Sequence, residues 1–194
     1  MGKSGMTKLD VAVPEAGTMH QLAPDLYWFR FSLPFRLDHI NLYAFVTDDG
    51  WLLLDCGLNN QRNAERWDVL LAGPLAGRPV AGIIVSHHHA DHIGYAGALV
   101  ERTGAPLYMG QTEYDIAHWA LTQSETRFGD VAANAYANFD LDAETVARTR
   151  AVGNYYRSLV GDLPDVTILP AGHHIQTIAG GWTVRFDAGH SPGH

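Results

Sequence analysis

One cysteine, Cys56, stands in 194 residues, so no disulfide can form within the chain and folding must rest on a hydrophobic core. A lone thiol fits a reducing compartment and reads as a small buried apolar side chain. There is no block of Lys or Arg: 21 acidic residues outnumber 13 basic ones, for a net charge of −8. Phosphate backbones are gripped by clustered cations, so nucleic acid is not an expected partner. Nor is there an acidic run that would line a cleft for cationic ligands, and the excess charge reads as serving solubility. No apolar stretch approaches the roughly 20 residues that cross a bilayer, which leaves no membrane partner to expect. Residues 1–6 lead into polar sequence without the apolar segment of a secretory leader, so the cytoplasm is the expected location.

What is present is ordinary globular composition, 46% hydrophobic, arranged in readable elements. Gly, Lys and Ser mix without period over residues 1–15, the expectation for a flexible lead-in, with a single domain over 16–194. Residues 26–31 and 40–46 alternate as strands, split by Pro34, and Asp48-Asp49-Gly50 is a tight-turn signal into a third strand ending at Asp55. That spells an antiparallel meander. Asn59 or Asn60 can cap a helix over 61–72, closed by Gly73-Pro74, which crosses to an apolar β-branched strand at 80–85. A helix after residue 91 and a short strand at 106–109 follow. Residues 111–163 break the pattern into weakly amphipathic helical segments, an insertion that either walls a site as a lid or packs on the sheet as a layer. Strands are expected again at 166–169, 175–178 and 182–187, with Gly180-Gly181 as a hairpin turn.

The chemistry is concentrated where the 80–85 strand stops. Ser86-His87-His88-His89-Ala90-Asp91-His92 places four candidate ligands, His87, His89, Asp91 and His92, in six residues. Neutral imidazoles with a carboxylate suit zinc, with iron or manganese as alternatives, and no thiol competes. Histidine tags are terminal and uniform, whereas this run is internal and has an acidic member. His87 and His89, two apart on extended backbone, should project to one side and grip one ion; His88 between them should face away. Asp91, read as the cap of the following helix, and His92 aim elsewhere, which implies a second neighbouring metal. Of the other histidines, His173 and His174 read as solvated, and His39 and His118 as satisfied or exposed residues.

At this point the sequence resembles a known family. His87-His88-His89-Ala90-Asp91-His92 matches the His-x-His-x-Asp-His signature of metallo-β-lactamase-fold metallohydrolases. Leu52-Leu53-Leu54-Asp55-Cys56-Gly57 is similar to the family strand that ends in Asp-x-Gly, with Cys56 where threonine is usual. Ala188-Gly189-His190-Ser191-Pro192-Gly193-His194 resembles the Gly-His-(Ser/Thr)-x-Gly-His segment of the glyoxalase-II-like branch. The resemblance implies an α/β (α+β) fold, the αββα sandwich, of which this chain would be the N-terminal part, and it implies truncation, since family members continue to a bridging aspartate and a further histidine. Sheet faces left uncovered would invite self-association into a homo-oligomer.

Carried over by residue, the resemblance implies that His190 completes the first metal site with His87 and His89, that Asp91 and His92 belong to a second, that Asp55 is a buried carboxylate orienting a ligand, and that His194 lies outside the direct ligands. Two zinc ions would be held in the complete fold. The chemistry implied is hydrolysis of a small-molecule carbonyl substrate, a thioester, lactone or ester. The ion lowers the pKa of water from about 15.7 towards 7, and Asp91 is the catalytic acid–base group. Two alternatives are a di-iron redox enzyme of the same fold, whose ligand signature overlaps, and an inactive product lacking half of the second site.

Overall fold

A computed structural model describes residues 10–194; most of the expected 1–15 lead-in lies outside the described residues. A seven-stranded sheet takes its strands side by side in the order in which the chain makes them. Strands β1 (His20–Ala23), β2 (Leu26–Ser32), β3 (His39–Thr47) and β4 (Gly50–Leu54) form the antiparallel meander, whose first strand the sequence pattern did not announce. Strands β5 (Val80–Val85), β6 (Leu107–Met109) and β7 (Val166–Ile168) then add in parallel, each after a helical crossover. Parallel neighbours require such crossovers, which explains the spacing of the apolar runs.

One face of the sheet carries the core. Phe29, Phe31, Leu42, Ala44, Leu53, Ile83, Val85, Leu107 and Met109 alternate onto it and meet Trp67 and Leu70 of α1 (Gln61–Ala72) and Leu99 of α3 (Ala96–Thr103). Trp67 is fully enclosed, sits edge-on to Phe29 and Phe31, and donates its indole N–H to the Cys56 carbonyl at 2.9 Å. A buried indole needs such a partner, and this one ties α1 to the strand end that bears Asp55. Asn60 caps α1, its side chain accepting from the Asn63 N–H at 2.9 Å.

The helix after the histidine cluster departs from expectation. It is two pieces, α2 (Ala90–Ile93) and α3, and the residue at its N-cap is His89; Asp91 sits within the first turn and caps nothing. Residues 111–163 fold as α4 (Gln111–Thr122), α5 (Glu125–Ala137), α6 (Ala143–Val152) and α7 (Tyr156–Leu159). Ala117, Ala120, Phe128 and Tyr156 join the main core, whereas α6 buries nothing. Three of the four helices, α4, α5 and α7, are therefore a packing layer.

Strands β8 (His174–Thr177) and β9 (Gly180–Thr183) pair apart from the large sheet. Their two-residue turn is Ile178-Ala179, not Gly180-Gly181, and the second strand ends at Thr183 rather than at Asp187. The glycines stand inside the strand because the pairing register places Thr177 opposite Gly180, whose φ of 139° no other residue adopts readily. Trp182 packs on Phe45 with ring centroids 5.1 Å apart, on the sheet face opposite the core. Asp25 anchors the hairpin, accepting from the Thr177 hydroxyl and, at 3.2 Å, from the Trp182 indole. Among the described residues this hairpin is all of the second β layer, and no helix packs outside it.

Candidate metal centre

Asp55 and the histidine cluster hang from the C-terminal edge of β4 and β5, in the parallel part of the sheet, the end where ligand-binding loops gather. Asp55 follows β4 with a left-handed φ of 66°, a conformation that Asp tolerates better than most side chains. That turn points its carboxylate, 5% exposed, under the loop after β5. There Oδ1 accepts from the Ser86 N–H at 2.8 Å, and Oδ2 accepts from the Ser86 hydroxyl at 2.9 Å and from His92 Nδ1 at 2.8 Å.

These bonds determine which imidazole nitrogens are free. His92, donating from Nδ1 to Asp55, keeps its lone pair on Nε2. The Ser86 hydroxyl has spent its proton on Asp55, so His87 Nδ1, 2.9 Å away, must donate to it; Nε2 of His87 is then likewise unprotonated. Burial pushes the His87 imidazole down to about 3, helped by neighbouring His92 and His89, and burial with the neighbouring His88 and His190 also lowers His89. Both are neutral imidazoles at pH 7. For His92, burial alone would favour the neutral ring, but the hydrogen bond and charge of Asp55 outweigh it and raise its pKa.

Three of the expected ligands converge. His87 Nε2 lies 3.0 Å from His89 Nδ1, which lies 3.0 Å from His190 Nε2, and ligand atoms of the three residues are all within 4.8 Å of one another. His87 and His89 do not achieve this from an extended strand. The chain bends over residues 86–89, and the bend turns both rings to one point. Tetrahedral zinc with nitrogens at 2.0–2.1 Å would hold neighbouring nitrogens ~3.3 Å apart, close to the two 3.0 Å separations that involve His89. A single proton on His89 Nδ1 can satisfy only one of these two contacts, whereas a divalent cation satisfies all three nitrogens, so the donor set fits a metal.

Asp91 and His92 form a neighbouring pair, with Oδ2 3.7 Å from His92 Nε2 and the His92 ring centroid 3.9 Å from that of His87. They gather no third ligand among the described residues. His194 stands off, its ring centroid 6.5 Å from His87 and 6.4 Å from His190, and its Nδ1 is 3.4 Å from the Ser191 carbonyl. Gly189-His190-Ser191-Pro192-Gly193 also spells Gly-x-Ser-x-Gly, but no helix follows Ser191 and it is buried, so this is not a strand-to-helix nucleophile elbow.

His88 faces away from the three ligands, as its position between them requires, and it meets a residue that the sequence did not flag. Glu113, in the first turn of α4 and fully buried, accepts from the His88 N–H at 3.0 Å and lies 2.6 Å from His88 Nδ1; its other oxygen accepts from the Gly193 N–H at 2.7 Å. Burial would raise its pKa, but the His88 side chain and the His88 and Gly193 amides hold it at about 2. An ionised carboxylate only accepts, so His88 carries its proton on Nδ1. Nothing local marks Glu113, because an acid in the first turn of a helix is already accounted for by the helix dipole. Ser86 was equally unmarked. His173 and His174 are exposed, and His118 packs beside Tyr114.

The profile of the metallo-beta-lactamase superfamily matches residues 36–194, and the chain belongs to that superfamily. A beta-lactamase domain protein from Burkholderia ambifaria is 31% identical with a TM-score of 0.81, over 95% of this chain and 54% of that one. A metallo-beta-lactamase family protein from Thermus thermophilus is 24% identical with a TM-score of 0.70, over 90% and 55%. A subclass B3 metallo-beta-lactamase of Bradyrhizobium japonicum shares the fold at 20% identity and a TM-score of 0.58, over 93% and 55%. The chain thus spans about half the length of the solved structures that it matches.

Proposed function

We propose that this chain carries the metal-binding half of a hydrolase of the glyoxalase-II-like branch, acting on a small thioester, lactone or ester. The observation that carries the reading is the convergence of His87, His89 and His190, from loops a hundred residues apart, onto one point. A divalent ion there supplies Lewis acidity and acidifies water at neutral pH. The neutral state of His87 and His89 and the tautomer set by Ser86 and Asp55 present lone pairs to it without a protonation cost. Asp91, beside His92 at the rim, orients the attacking water and accepts its proton. Zinc suits the imidazole set, a second ion would take Asp91 and His92 as two of its ligands, and the protein works on a soluble metabolite in the cytoplasm rather than on nucleic acid.

The test is a panel of acyl thiol, lactone, ester and β-lactam substrates with zinc-supplemented protein. Hydrolysis of a thioester, lactone or ester that is lost in His89→Ala supports the proposal. Bound iron with visible absorbance and turnover of oxygen or a persulfide would replace it with the redox chemistry that the same ligands support.

A further inference from the structure

Two loops with little else in common supply the ligands, and one buried carboxylate touches both. The first loop carries His87 and His89, and its central residue, His88, is held at three points. Its N–H and Nδ1 go to Glu113, and its carbonyl accepts from the Tyr156 hydroxyl at 2.5 Å. The second loop carries His190, which is exposed, and three residues later the Gly193 N–H goes to the other Glu113 oxygen at 2.7 Å. Glu113 and Tyr156 stand on α4 and α7, two of the three helices of the 111–163 stretch that pack into the core. Gly193 lies so close to this helix that a Cβ there would come within 2.8 Å of Thr112, so loop and helix are in direct contact.

We propose that Glu113 is a positioning residue that sets the separation of the two ligand loops and thereby tunes metal affinity, without touching metal or substrate. The inference rests on the metal-centre reading above. It gives the helical stretch a definite role as the clamp that holds His190 against His87 and His89. The carboxylate suits this because one rigid group accepts three hydrogen bonds, from the backbone of both loops and from one side chain. An amide in its place would turn N–H donors onto one of them.

The experiment measures Co²⁺ and Zn²⁺ affinity by chelator competition on folded protein, with circular dichroism confirming the fold, for wild type, Glu113→Gln, His190→Ala and the double variant. Loss of an outer-shell partner typically costs 10–100-fold in metal affinity, and a loss of about that size is expected for Glu113→Gln. In the His190→Ala background the same change should cost several-fold less, because its effect acts through His190; a purely structural role would lower thermal stability and leave the two affinity losses multiplicative. Should Glu113→Gln fail to fold, His88→Ala, which removes only the Nδ1 arm, decides the matter with a smaller loss expected. Wild-type binding with unchanged affinity in the variants overturns this inference alone. Failure of wild type to bind either ion overturns the metal-centre reading itself.

Discussion

The two loops that meet at the candidate metal centre are built to different standards. The His87–His92 loop grows from the middle of a seven-stranded sheet, with β4 on one side and β6 on the other, and its underside is fixed by Asp55, Ser86, Glu113 and Tyr156. The His190 loop follows a two-stranded hairpin, is largely exposed, and is held by the Glu113 contact and the backbone bond from Asp187 to the His194 carbonyl at 2.9 Å. Half of the site is therefore preorganised by the core and half depends on a few tethers. An ion that bridges them contributes folding energy to the weaker half.

The largest effects should fall on the rigid half. His87→Ala or His89→Ala removes a ligand outright and should lower zinc affinity by more than the roughly 10–100-fold that outer-shell losses cost, measured by chelator competition. His190→Ala should cost less, since the remaining pair stays aligned. Equal losses at all three positions would break the comparison. Next in size, Asp55→Asn keeps a residue that accepts the left-handed φ but withdraws a buried charge from Ser86 and His92. Urea unfolding of the metal-free protein should show a loss of roughly 1.5–3 kcal/mol, the range for hydrogen bonds to charged groups.

The smallest change sharpens the weak half. Asp25→Asn loosens the hairpin by about 1 kcal/mol, the scale of a single hydrogen bond, and the emission of Trp182 should shift to longer wavelength as it leaves Phe45. The Thr177 hydroxyl holds the Asp25 carboxyl below the ordinary 3.8, against the opposing effect of burial. A depressed carboxylate contributes stability above its unfolded value, and that contribution fades as pH falls through the folded one. Wild-type hairpin docking should therefore weaken only below about pH 4, and the variant should lose that dependence.

Much of this was readable in the sequence, and for a physical reason. Strand period, the Asn60 cap and the turn at Asp48-Asp49 are local signals, and the histidine cluster is a local concentration of donors. The misses are all tertiary. Asp91 looked like a cap because it precedes an apolar period, but the bend that aims His87 and His89 starts the helix at Ala90 instead. Gly180-Gly181 looked like the turn because glycines mark turns, yet register against Thr177 placed them in the strand. Ser86 and Glu113 carry no local mark at all; each is an ordinary polar residue until a partner 25 or more positions away is folded against it. His190 became readable only through family resemblance, because nothing near it in sequence tells of His89.

Anomalous diffraction at the zinc edge, from crystals grown with Zn²⁺, addresses the central claim most directly. The expected result is a peak within bonding distance of His87 Nε2, His89 Nδ1 and His190 Nε2 together. A protein that takes up zinc elsewhere, with these three nitrogens bonded to no common ion, would contradict the account.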